Sequence, residues 1–172
     1  MPGKSGYPKN ERFHPINAQG ATMYLNQFEP FSVMNCVFFF IIIWVAVCQL
    51  ISIVGGWKIL SRDYRANSAF DGQKMWLKSV GMRRWTNYNN CITVGVNKYG
   101  LYLSVFPIFR VGHPPVFFPW TDISTEAGSR RLFGDFVKFK FTRQPNVPVI
   151  FSKKLAARIF KLKEESRPEL RI

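Results

Sequence analysis

His113 is the residue of this chain best suited to proton transfer. It sits in Gly112-His113-Pro114-Pro115, where two prolines stiffen the backbone beside it. An imidazole so placed works as a general base when a carboxylate orients it, and Asp122 is the candidate partner across the connection. The same ring can instead bond loop backbone and hold the turn. Hydrolysis also needs a nucleophile, and no Gly-x-Ser-x-Gly or activated-cysteine context accompanies His113, so the turn-holding role is the stronger reading. The other carboxylates are too scattered for paired acid–base work: Asp71, Glu126 and Asp135, then Glu164, Glu165 and Glu169 near the end. Phosphate-loop and dinucleotide patterns are absent. Cys36, Cys48 and Cys91 form no Cys-x-x-Cys, and only His14 and His113 could join them at a metal. Structural zinc takes close-spaced pairs of ligands, so these cysteines are expected free, packed as small hydrophobes. No metal and no cofactor is expected, and the chain leans away from catalysis.

Basic residues carry the next signal. The chain has 24 Lys and Arg against 10 Asp and Glu. Arg83-Arg84, Arg130-Arg131, Lys138 with Lys140, and Lys153-Lys154 are expected on strand faces or turns. Nothing resembling a helix-turn-helix, a zinc finger or an aromatic RNA-binding stripe accompanies them, so no nucleic-acid partner is expected. Anionic lipid or an acidic protein surface fits the charge better.

The positioning element is an uncharged gap between Glu29 and Lys58, most of it a solid apolar run from Val33 to Val54. As a helix these 22 residues would span about 33 Å, the thickness of a bilayer's hydrocarbon core. Before it Lys4, Lys9 and Arg12 oppose Glu11 and Glu29, a net of +1; after it 21 basic residues oppose 8 acidic ones, a net of +13. Basic flanks stay inside, so the N-terminus is expected outward and the C-terminal module cytoplasmic. Trp57 and Tyr64 are expected near the inner interface. A cleavable signal is disfavoured, because about 30 residues precede the run and no Ala-x-Ala follows it. Within the run Gln49 either bonds a partner helix or snorkels to headgroups, and no small-residue seam is evident.

The expected organisation is an arm over 1–32, a transmembrane helix over 33–56, a juxtamembrane helix and linker over 57–70, a β-rich module over 71–164 and a tail over 165–172. Trp57, Leu60 and Tyr64 form the apolar stripe of the juxtamembrane helix, with Lys58, Arg62 and Arg65 mostly off it. Period-two runs over 73–82, 89–96, 101–106, 116–123, 136–142 and 147–151 predict about six short antiparallel strands, with a turn over 126–130. The Asn97-Lys98-Tyr99-Gly100 turn makes the clearest hairpin. Pro119 marks an edge-like strand. Ser152 caps a final amphipathic helix with Leu155, Ile159 and Leu162 on one face.

That order of elements resembles the pleckstrin-homology-like superfold, a bent antiparallel sheet closed by a C-terminal helix. The block Gly-Leu-Tyr-Leu-Ser at 100–104, Phe109-Arg110, Gly112-His113-Pro114-Pro115 and Pro119-Trp120 resembles a pattern of uncharacterised bacterial proteins, some with one membrane span. The resemblance implies a bacterial inner-membrane location and carries no activity. The expected function is a non-catalytic, single-pass scaffold or accessory protein. Its module would contact anionic lipid, and a membrane-protein partner, through Trp57, Lys58, Arg62, Arg65, Arg83, Arg84, Arg130, Arg131, Lys138 and Lys140. The alternatives are a membrane-associated hydrolase using His113 and Asp122, and a subunit or assembly factor of a larger membrane complex.

Overall fold

The computed structural model describes residues 30–83, 86–130 and 134–167, with backbone alone at Pro30, Phe31 and Arg130. These fall into two compact units, one ending at Ile41 and one running from Ile42. The first holds the opening turns of helix α1 (Pro30–Gly55), whose side chains from Val33 to Ile41 are largely exposed and apolar. Proline stands at its first position, where a missing N–H costs nothing. The stretch Ser32–Gly55 is long and apolar enough to cross a membrane.

The second unit begins with the remaining turns of α1. Gly56 (φ +82°) breaks the axis in a left-handed conformation, and helix α2 (Trp57–Asp63) follows. A Cβ at Gly56 would lie 2.7 Å from Val147, so glycine serves both the bend and the close approach there. Seven strands come next: β1 (Gln73–Met82), β2 (Thr86–Val96), β3 (Gly100–Val105), β4 (Val116–Pro119), β5 (Ile123–Arg130), β6 (Gly134–Phe141) and β7 (Gln144–Ser152). Helix α3 (Lys153–Glu165) follows β7, its first turn capped by the Ser152 hydroxyl accepting from the Leu155 N–H.

The sheet is antiparallel in the order β4-β3-β2-β1-β7-β6-β5. Two meanders, β1 to β4 and β5 to β7, pair where Gly81 and Met82 meet Ile150 and Val149, and the Arg83 N–H extends the junction to the Pro148 carbonyl. Between the meanders lies one core. Phe118 of β4 stacks on Phe141 of β6 at 3.8 Å, and Tyr64 covers both rings. From α3, Leu155, Ala156, Ile159 and Leu162 are buried and Phe160 stacks on Phe139. The apolar stripes expected for α2 and α3 are the faces that pack.

Two expectations need correction. Among the described residues the sheet has seven strands rather than about six, because residues 126–130 are strand and not turn. Ile123 to Arg130 pairs with β6 residue by residue, although Ser-Thr-Glu-Ala-Gly-Ser has almost no β-branched or aromatic residues. It is an edge strand, held by backbone bonds to β6 with its side chains mostly exposed, so composition barely registers it. The run expected over 116–123 is also interrupted: β4 stops at Pro119, and Trp120–Asp122 form a 3₁₀ turn. Proline has no N–H to extend the ladder.

Candidate functional site

His113 is 2 % exposed and both ring nitrogens are engaged. Nδ1 lies 3.0 Å from the Val111 carbonyl and Nε2 lies 3.1 Å from the Tyr88 hydroxyl. A carbonyl only accepts, so Nδ1 carries the proton and Nε2 accepts from Tyr88. The Tyr88 hydroxyl is 3.5 Å from the Ile51 carbonyl, a poorer acceptor than the ring at 3.1 Å. Burial pushes the imidazole pKa below its usual range, opposed by the Val111 and Phe109 carbonyls. Burial pushes the Tyr88 phenol well up. The pair is a neutral imidazole with a protonated phenol.

Trp57 meets both rings edge-on at 5.6 Å, and its indole N–H donates to the Pro114 carbonyl at 2.7 Å. Trp57 is completely buried. The lipid- or partner-facing role expected for it is therefore wrong: its stripe with Leu60 and Tyr64 faces the sheet, not headgroups. Tyr64 is likewise buried. Its hydroxyl donates to Asp122 Oδ2 at 3.2 Å and accepts from the Arg143 N–H, while the Arg143 guanidinium pairs with Asp122 at 3.4 Å. Burial, chiefly, raises the Tyr64 pKa.

Asp122 thus belongs to Tyr64 and Arg143, and His113 to Tyr88 and loop carbonyls. The expected His113–Asp122 pair does not form. Among the described residues every buried side-chain polar atom has a partner, and no cluster of His, Cys, Asp and Glu could hold a metal.

The Gly-His-Pro-Pro loop is also fastened to α1. Ser52, fully buried, donates to the Gly112 carbonyl, and the Trp44 indole donates to the Ile108 carbonyl at 3.4 Å while its ring lies 5.2 Å from that of Phe109. Gly112 (φ +74°) sits so close that a Cβ there would lie 2.5 Å from Gln49 Oε1. Gln49, itself exposed, thus has its amide against this loop. Cys48, Ser52 and Gly55 form a buried stripe of small residues at helical spacing. The reading that no such seam exists fails for these last turns, because the seam serves the chain's own sheet: a Cβ at Gly55 would lie 2.8 Å from the Tyr88 hydroxyl.

The basic residues divide. Lys58 and Arg62 are exposed on α2 and are in no ion pair among the described residues. Arg83 is not a free surface cation, since its guanidinium donates to the Val54 carbonyl at 3.3 Å and so caps the C-terminus of α1. Lys140 is paired with Glu126, whose carboxyl it holds below the usual range, while Lys138 stands half-buried beside it on β6. Arg65 bridges Val116 by backbone and lies on an open cleft of about 660 Å³. That cleft is floored by Phe70 stacked on Tyr102 at 4.6 Å. Arg84, Arg131 and the Arg130 side chain lie outside the described residues. No protein family, curated protein or solved structure matches this chain.

Proposed function

We propose that this chain is a membrane-anchored, non-catalytic accessory module: α1 crosses a bilayer, the N-terminus faces outward, and the sheet is held at the anionic cytoplasmic surface. The docking of the last turns of α1 on the sheet, through Trp44, Ser52, Gly55 and the Gly-His-Pro-Pro loop, carries this reading. A module so fastened is presented in one pose rather than on a loose tether. Lys58 and Arg62 follow the apolar helix directly and point off the buried stripe, where each cation near anionic lipid contributes about 1 kcal/mol. Two meanders closed by a C-terminal helix support the pleckstrin-homology-like reading of the sheet, and the sequence resemblance implies a bacterial inner membrane. A protein partner has a specific supporting feature: a bulge in β1, with Leu77 at φ +53°, leaves Trp76 and Leu77 more than half exposed.

Hydrogen exchange of the full chain in neutral and anionic nanodiscs tests the lipid contact. Protection of α2 that needs anionic lipid and dissolves at high salt is expected. Equal exchange in both discs would remove the electrostatic contact from the proposal.

A further inference from the structure

We propose that the loop Phe106–Val111 is a second membrane element, a wedge that enters the hydrocarbon of the bilayer beside the C-terminal half of α1. The inference rests on the reading of α1 as a span. Three observations carry it.

The first is position. Trp44 donates to the Ile108 carbonyl and packs on Phe109, and the rise from Trp44 to Gly55 is about 16 Å of helix. A bilayer that takes up α1 to its apolar end meets the loop alongside it. The second is surface. Phe106, Ile108, Phe109 and Val111 are 41, 59, 36 and 38 % exposed, beside a helix whose uncovered Val47, Leu50 and Ile51 are equally apolar. Four uncovered apolar side chains in six residues form a patch that water does not favour.

The third is the backbone. Backbone polar groups that enter lipid need partners within the protein, and most carbonyls of this segment have one. Here the Phe106, Pro107 and Arg110 carbonyls accept from the N–H groups of Phe109, Arg110 and His113. The Ile108, Val111 and Gly112 carbonyls accept from Trp44, the His113 ring and Ser52. The Phe106 N–H donates to the Cys91 carbonyl. Arg110, the one charge in the segment, turns its guanidinium back to the Ser104 hydroxyl at 3.1 Å, so its long stem leads the charge toward the sheet. The occupant that matches an apolar surface continuous with a spanning helix is the acyl chain of lipid.

The test places an environment-sensitive NBD probe at Ile108→Cys in the full chain, with Cys36, Cys48 and Cys91 replaced by Ala. Ile43→Cys in α1 and Tyr99→Cys at the β2–β3 turn serve as references. In phosphatidylcholine–phosphatidylglycerol vesicles the Ile108 probe is expected to be blue-shifted and quenched by doxyl-tailed lipid as strongly as the Ile43 probe. The Tyr99 probe should yield instead to aqueous iodide. An Ile108 probe quenched by iodide while Ile43 is quenched by lipid would overturn the wedge and leave the span standing. Iodide quenching at both positions would overturn the span and the wedge with it. An Ile108 probe shielded from both quenchers would mean that protein, a second copy or a partner, covers the loop, and the lipid assignment would fall. Lipids with photoactivatable tails give an independent answer on the unaltered chain: adducts within 106–111 support the wedge, and adducts confined to α1 overturn it.

Discussion

At the scale of single residues, His113 has a cost that depends on pH. Its folded pKa is depressed by burial, so below about 6.5, the ordinary value, the unfolded chain binds a proton that the folded chain refuses. Stability is therefore whole above that pH and falls as pH drops toward the folded pKa, with a slope approaching about 1.4 kcal/mol per pH unit. Thermal unfolding from pH 7.5 to 5 should show the loss, and His113→Asn, which keeps a donor for the Val111 carbonyl, should flatten it. Trp57→Phe removes the donor to the Pro114 carbonyl and is expected to cost about 1–3 kcal/mol, read as a lowered unfolding midpoint. The turn-holding role of His113 follows from neighbouring prolines and is legible in the chain. Its Tyr88 partner lies 25 positions away and is not.

At the scale of elements, the seam between α1 and the sheet relies on small residues. Gly55→Leu would drive a side chain into the Tyr88 ring and Thr86, and overpacking of this kind costs about 1–3 kcal/mol. It should release α1 and the Gly-His-Pro-Pro loop together, seen as faster hydrogen exchange at 106–113 with β5 to β7 unchanged. Gly112→Ala should show a smaller loss of about 1–2 kcal/mol, because its main cost is the left-handed backbone and the contacting Gln49 amide can swing aside. Cys48, Ser52 and Gly55 were unreadable as a seam in the chain, where one small residue per turn among bulky ones looks like ordinary variation in an apolar run. Strand β5 is silent in the chain for a related reason: an edge strand is specified by its neighbour's backbone more than by its own side chains.

For the whole molecule, the proposed lipid contact rests on charge. Lys58→Glu with Arg62→Glu reverses two exposed cations without touching the buried stripe of α2. The double variant should fold normally by circular dichroism and lose the anionic-lipid-dependent protection of α2 in nanodiscs. Protection that persists would move the contact elsewhere on the molecule. Arg83 should behave differently. Its replacement uncaps α1, so the loss should appear as local stability rather than lipid preference.

The apolar run, the step in charge across it, the hairpin around Asn97 and the Ser152 cap are written locally, in spacing and residue type, and the chain alone determined them. Tertiary structure decided what each apolar face is turned toward. The period of Trp57, Leu60 and Tyr64 states that one side of α2 avoids water, and lipid and protein core satisfy that demand equally well. Only the arrival of Tyr88 and Phe118 from distant strands and of His113 from a distant loop chose the core. The same long-range packing parted His113 from Asp122, which lie close in sequence, and gave each a partner that no local pattern names.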